Sequence, residues 1–287
     1  MHILVFGRVG QLGSALAELL PSHHEVTFLD QPEVDLSQPD SVPDLIAEHA
    51  PALLINAAAY TAVDKAESEP QLAQLINTDA PAAMAKSCRI REIPLIHYST
   101  DYVFDGSSSA PYTEHAVVAP TSVYGKTKLE GEQAVAEETD RHIILRTAWL
   151  YSHIGHNFLK TMLRVASEGK PLRVVDDQMG SPTFAWDLGM ASVAAVDALE
   201  KGREDVYGIF HATNSGVTSW HGFAQKIFEF AGIEKVDLSG IPTESYPTPA
   251  PRPAYSVLDC DRLHQVLQVQ MPDWQDALSR CINRLQR

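Results

Sequence analysis

The sequence predicts an α/β fold: a doubly wound parallel sheet with helices on both faces, followed by a smaller mixed α/β part. Three observations carry that prediction. Short apolar runs alternate with stretches of helical periodicity from the first residues onward, a glycine-rich turn joins the first run to the first helical stretch, and the rhythm loosens past about residue 151. A chain of 287 residues is long enough for a large core in two unequal parts.

The elements follow in order. "HILVFG" (2–7) is short and apolar throughout, as a strand covered on both faces should be. "QLGSALAELL" reads as the first helix, "EVTFLD" (25–30) as the second strand, "SVPDLIAEHA" as a helix and "ALLINAAA" (52–59) as the third strand. A long helix over "QLAQLINTDAPAAMAKSCRIRE", a strand at "IPLIHYST" (93–100), a helix through Tyr124 and a strand at "HIILRTAWLY" (142–151) complete the regular half. Beyond it, helices are expected at "NFLKTMLRVASEG", "AWDLGMASVAAVDALEKG" and "WHGFAQKIFEFAG", with strands at "LRVV" and "GIFHAT" and a terminal helix at "DWQDALSRCINRL". The proline-rich "IPTESYPTPAPRPAYS" (241–256) can only be an extended loop laid over the surface.

Charge and cysteine usage narrow the setting. A formal net charge of -15 repels nucleic acid and anionic membranes, so local cations must hold any anionic ligand. Cys88, Cys260 and Cys281 are odd in number and lack ligand spacing, which suits reduced thiols in the cytoplasm. No apolar run approaches the ~20 residues that span a bilayer, and no targeting signal is visible.

"GRVGQLG" sets Gly7, Gly10 and Gly13 between the first strand and first helix. Such a turn lets backbone approach a pyrophosphate at the helix N-terminus, where free N–H groups favour anions; the same glycines also serve a plain tight turn. The position of the motif points to a dinucleotide, and hence to a Rossmann-like fold. Residues 1–150 are then a dinucleotide-binding domain and 151–287 a substrate domain, some of whose segments return to pack on the first. Asp30, at the end of the second strand, can accept from a ribose hydroxyl, which suits NADH. Arg8, inside the loop, can face a 2'-phosphate, which suits NADPH. Asp35 and Leu36 either flank the adenine or begin a helix.

A nicotinamide held there lies over the carboxyl ends of neighbouring strands. Ser99 or Thr100, ending a strand, then projects a hydroxyl into the cleft. In "SVYGKTK", Tyr124 and Lys128 stand four residues apart, which on a helix puts both on one face. Hydride delivery to a ketone leaves alkoxide charge and calls for a proton donor. A tyrosine ordinarily titrates near ~10, and a nearby ammonium is expected to lower that value.

With these residues in view, the chain resembles the dTDP-4-dehydrorhamnose reductases, which are extended short-chain dehydrogenases/reductases. The resemblance is carried by "GRVGQLG", "NAAAYTAVDKAESEP", "HYSTDYVFDG", "SVYGKTKLEGE", "RTAWLY", "NF" with "TMLR", "DQMGSPT" and "YPTPAPRP", from residue 3 to 253. It implies reduction of the 4-keto group of dTDP-4-dehydro-β-L-rhamnose by NADPH or NADH. It makes Thr100, Tyr124 and Lys128 the catalytic triad. It lines the cofactor with Gly10, Gln11, Leu12, Asp30, Asp35, Leu36, Ala59, Tyr60, Thr61 and Tyr98, and turns Thr100, Asp101 and Trp149 toward the sugar. Tyr60 departs from the His of some close relatives. Some members form a homodimer through Mg2+ held by glutamates; no compact carboxylate cluster is visible here, and no metal ligand is assigned.

Other residues carry weaker signals. Trp149 can cover the apolar face of a deoxysugar or serve as a core aromatic. Asn157 and Arg252 are candidates for the dTDP end; a guanidinium fits diphosphate oxygens, and a solvated loop arginine is the plain alternative. Asp64, Lys65 and Glu67 read as helix-start residues. His23, His24, His153 and His156 lack carboxylate or cysteine partners at ligand spacing. Two other functions compete: an epimerase or dehydratase that keeps its dinucleotide bound, and a regulatory subunit like that of methionine adenosyltransferase, which has no need of the triad.

Overall fold

The computed structural model describes residues 1–20 and 24–286, and His23 lies outside the described residues. The strands β1 (His2–Phe6), β2 (Glu25–Leu29), β3 (Leu53–Asn56), β4 (Leu95–Thr100) and β5 (His142–Thr147) join Gly208–His211 in one sheet. Its order is Gly208–His211, β5, β4, β3, β1, β2, and every neighbouring pair is parallel. The chain moves outward from β1 to β2 and then crosses back to β3 on the other side of β1. That reversal opens a crevice at the carboxyl ends of β1 and β3, where doubly wound sheets take ligands.

Side-chain alternation assigns the two faces. Ile3 and Val5 pack with Leu12 and Leu16 of α1 (Gln11–Leu19) and with Leu188 and Ala195. Leu4 and Phe6 point the other way, onto Val42 and Ile46 of α2 (Val42–His49) and onto Met84 and Val135. Each such fully buried side chain contributes about 1.5–3 kcal/mol. The second half does not stay apart: the helix Ala185–Glu200 packs on α1, and Gly208–His211 extends the main sheet. A separate core gathers Tyr151, Leu159, Phe184, Phe223, Trp274 and Ile282. Among the described residues no helix is long and apolar enough to cross a membrane.

Three predicted elements are shorter or broken. The strand expected over 52–59 stops at Asn56, leaving Ala57–Tyr60 as loop. The strand expected over 142–151 breaks because Trp149 adopts a left-handed backbone, φ 47°, which extended structure excludes. The helix expected over 71–92 is interrupted by a π-helical stretch, Leu75–Asp79.

Candidate active site

The glycine turn is built for close approach. Gly7 has φ 95°, and a Cβ on Gly13 would fall 1.7 Å from the Gly7 carbonyl oxygen. A Cβ on Gly10 would meet nothing within 4 Å, so the start of α1 opens onto free space. Gly10 caps α1 without a side-chain hydrogen bond, and the first turn has no acidic residue. These amides fit a pyrophosphate. Asp30 braces the same turn: its Oδ2 accepts from Val9 N–H at 2.9 Å and its Oδ1 from Gln31 N–H at 2.9 Å. Arg8 is exposed beside it. Asp35 is exposed and accepts from both the N–H and the hydroxyl of Ser37, which hold its carboxyl below the usual range, whereas Leu36 is buried in the core.

Ala59 and Tyr60 are half-buried and Thr61 is exposed, all at the carboxyl end of β3. Asn77, from the π-helical stretch, pins this segment: its Oδ1 accepts from Tyr60 N–H at 2.9 Å, and its Nδ2 donates to Tyr60 O at 3.1 Å and to Thr127 Oγ1 at 3.2 Å. The Tyr60 phenol donates to Glu69 at 2.5 Å, which pushes it up to about 12.

The helix Val123–Glu138 starts at Ser122, whose hydroxyl accepts from Gly125 N–H at 3.1 Å. Its buried face holds Tyr124, Lys128 and Glu132 at successive four-residue steps. Lys128 Nζ donates to the Tyr98 carbonyl at 2.6 Å and stands 3.4 Å from His97 Nε2. Burial lowers the ammonium to about 8, partly offset by Glu132. Glu132 in turn receives Arg146 in a bidentate pair at 2.9 and 2.6 Å. Beneath Lys128, His97 Nδ1 lies 3.1 Å from Asn56 Nδ2, and burial keeps this imidazole neutral.

Period-two alternation separates Ser99 from Thr100, and it is the Thr100 hydroxyl that acts on the Tyr124 phenol. Burial pushes the Tyr124 phenol up to about 12; Thr100 opposes the rise and Asp101 adds to it. The expected lowering by Lys128 is therefore not what sets this phenol; burial is. Thr100 Oγ1 also donates to Asp101 Oδ1 at 2.9 Å. Burial raises the Asp101 carboxyl to about 6, against the Ser256 and Thr100 hydroxyls.

Among the described residues, three buried polar atoms at the ends of β4 and β5 lack a well-formed hydrogen bond: Ser99 Oγ, Asp101 Oδ2 and Thr147 Oγ1. Orphans cost about 1–3 kcal/mol each, and a cluster at one sheet edge suits a polar ligand. The Trp149 ring stacks on Trp220 at 3.6 Å and 7°. Arg252 Nη2 donates to Asp64 at 2.8 Å, its Nη1 is buried and unpartnered, and its guanidinium lies 6.0 Å from the Tyr102 ring, itself edge-on to Tyr124.

Some residues have other tasks than those expected. The Tyr98 phenol donates to Ser192 at 2.7 Å, while the Tyr98 carbonyl accepts from Lys128. Asn157 is already engaged within the chain: its Nδ2 donates to Gln11 Oε1, Ser152 O and Ile154 O, and its Oδ1 caps the next helix at Lys160 N–H. Gln11 is thereby tied to the second half. Asp64 and Glu67 do not cap their own helix; Asp64 also takes Ala250 N–H, and Glu67 takes Val123 N–H at the start of the triad helix. Among the described residues no metal-capable group of side chains lies in this cleft.

The whole chain, residues 1–287, matches the family model described as the RmlD substrate binding domain. The dTDP-4-dehydrorhamnose reductases of Escherichia coli K12 and Sinorhizobium fredii are each 42% identical to it, over 99% and 98% of this chain and 98% and 97% of theirs. The chain belongs to the dTDP-4-dehydrorhamnose reductase family. Among solved members of this family, the Clostridium acetobutylicum structure superposes with a TM-score of 0.94 at 39% identity, covering 100% of both chains. The Bacillus anthracis dTDP-4-dehydrorhamnose reductase, solved in complex with NADP, gives 0.92 at 36% identity over 99% of both. The Thermus thermophilus UDP-glucose 4-epimerase, at 19% identity and TM-score 0.82, shares the fold.

Sequence reasoning about this reductase-family chain missed Asn77, His97, Asn56 and Trp220. Asn77 had one available signal, a poor helix former in the middle of an otherwise uniform helical run. The other three read as ordinary strand or helix residues, and only their long-range partners distinguish them.

Proposed function

We propose that this protein reduces the 4-keto group of dTDP-4-dehydro-β-L-rhamnose to give dTDP-L-rhamnose, using NADPH or NADH. The observation that carries the reading is the junction of Tyr124 with Thr100: a protonated phenol buried against a hydroxyl, on the sheet edge where the glycine turn opens. Gly7, Gly10, Gly13 and the start of α1 would hold the reduced nicotinamide coenzyme, which would supply the hydride.

Tyr124 gives its proton to the oxygen that becomes negative. Thr100 has one hydroxyl proton. Directed at Asp101, it leaves a lone pair for the Tyr124 phenol; turned toward Tyr124, it stabilises the phenolate after transfer. Lys128, anchored on the Tyr98 carbonyl, holds a positive charge beside the coenzyme ribose. Asp101 and Trp149 face the sugar, and Arg252 offers its unpartnered Nη1 to the diphosphate. Residues 1–150 supply the coenzyme side and much of 151–287 the sugar side. The free Cys88, Cys260 and Cys281 support a cytoplasmic setting.

A relative from Streptomyces antibioticus, 40% identical over 97% of this chain, is described as a probable dTDP-4,6-dihydroxy-2-methyloxan-3-one 4-ketoreductase, which favours other 4-keto dTDP-sugars as a second reading. Incubating the protein with dTDP-4-dehydrorhamnose and each reduced coenzyme, following coenzyme absorbance and identifying the sugar, tests both. Stoichiometric coenzyme oxidation with dTDP-L-rhamnose as product is expected. Coenzyme that copurifies and returns unchanged would assign an epimerase instead.

A further inference from the structure

We propose that His24, Asp197 and Glu200 bind one divalent transition-metal ion of the zinc class, clipping the start of β2 to the end of the helix Ala185–Glu200. One ligand atom from each of the three side chains lies within 4.8 Å of the other two. His24 immediately precedes β2, whereas Asp197 and Glu200 occupy the last turn of a helix more than 170 residues later. No spacing rule could have joined them.

Two independent features point to a cation. The His24 side chain is only 2% exposed, with Nδ1 at 3.9 Å from Glu200 Oε1. Neither of its ring nitrogens has a hydrogen-bond partner among the described residues. A buried imidazole left in that state is costly unless something takes its lone pair. In addition, the helix ends with two carboxylates and no basic residue in its last turn, where the aligned carbonyls already carry negative charge. The Met1 ammonium, 3.6 Å from Glu200 Oε1, answers one carboxylate, and among the described residues no cation faces Asp197.

The donor set selects the ion. One imidazole nitrogen and two carboxylate oxygens, with a water in the fourth position, suit Zn2+ or Co2+, whereas Mg2+ and Ca2+ prefer oxygen alone. The amino end of β2 and the terminal amine lie at the sheet edge opposite the catalytic one. The ion is therefore a structural clip between the segment after α1 and the helix that packs on α1.

The test uses the full chain without an affinity tag, stripped with EDTA and titrated with ZnCl2 by calorimetry. One Zn2+ per chain is expected, with Tm raised by about 5 °C at a hundredfold excess over Kd. Co2+ should give the visible absorption of a four-coordinate site. His24→Gln and Asp197→Asn should each weaken Zn2+ by about tenfold or more and abolish the Co2+ band. Reductase turnover measured in EDTA should stay unchanged, which shows that both variants fold. Absence of 1:1 binding, or equal binding by wild type and both variants, would overturn the assignment.

Discussion

The ammonium of Lys128 donates to the backbone carbonyl of Tyr98 at 2.6 Å, from one turn below Tyr124 on the same helix face. The lysine is thus fixed by the strand it crosses before any ligand arrives. Burial holds it near 8, so it is cationic below that pH and neutral above. The free-enzyme profile of kcat/KM should therefore fall as pH rises through about 8. Tyr124, pushed up to about 12, remains protonated across that range and does not set the arm. Initial rates from pH 6 to 10 check this: Lys128→Met should lose the arm along with much of its coenzyme affinity, and an unchanged profile would remove Lys128 from this role.

Tyr124→Phe deletes one buried hydroxyl and keeps the ring edge against Tyr102. Turnover should drop by about 10²–10⁴-fold, the usual share of a positioned proton donor. Coenzyme affinity, measured by fluorescence titration, should stay within about twofold, since the glycine turn is untouched.

Asp101 pairs function against stability. Its carboxyl is raised from 3.8 to about 6, so the native state binds the extra proton between those values. Stability is fully present below the lower value and falls as pH climbs through the higher one, by about 3 kcal/mol at neutrality. Asp101→Asn carries no charge to bury. Denaturant melts at pH 5 and pH 8 should show the variant gaining on wild type at the higher pH, while its turnover falls.

The Trp149 ring is positioned from behind. A Cβ on Gly180 would lie 2.5 Å from it, so Gly180→Ala must displace the indole from its stack on Trp220. KM for the sugar nucleotide should rise several-fold in Gly180→Ala and in Trp220→Ala, with KM for the coenzyme unchanged in steady-state assays.

Glu132 and Arg146 are 2% and 3% exposed, so neither charge has water to fall back on. Glu132→Ala strands the guanidinium and should destabilise the protein by about 3–5 kcal/mol. The double change Glu132→Leu with Arg146→Met should recover most of that loss in urea melts.

Much of the candidate site was legible because its signals are local. The alternation of apolar runs set out the strands of β1 to β5, and the glycine turn follows from what its own backbone must do at Gly7 and Gly13. Tyr124 and Lys128 share a face because a helix repeats every 3.6 residues. Asn157 carried less signal: its amide donates to the carbonyls of Ser152 and Ile154 in the turn before it and to the Gln11 side chain 146 positions away, and only the fold brings that last partner into reach.

By itself, then, the sequence determined the parallel α/β architecture, the position of the glycine turn and the pairing of phenol with ammonium, since each depends on neighbours within a turn or a strand. Only the tertiary structure decided that Asn77 pins the Tyr60 loop, that Trp220 backs Trp149 and that Arg252 leans on Asp64. Those contacts join residues 17 to 188 positions apart. They exist because packing the sheet and its helices to high density brings distant side chains into reach, and burial then requires each polar atom to find its partner.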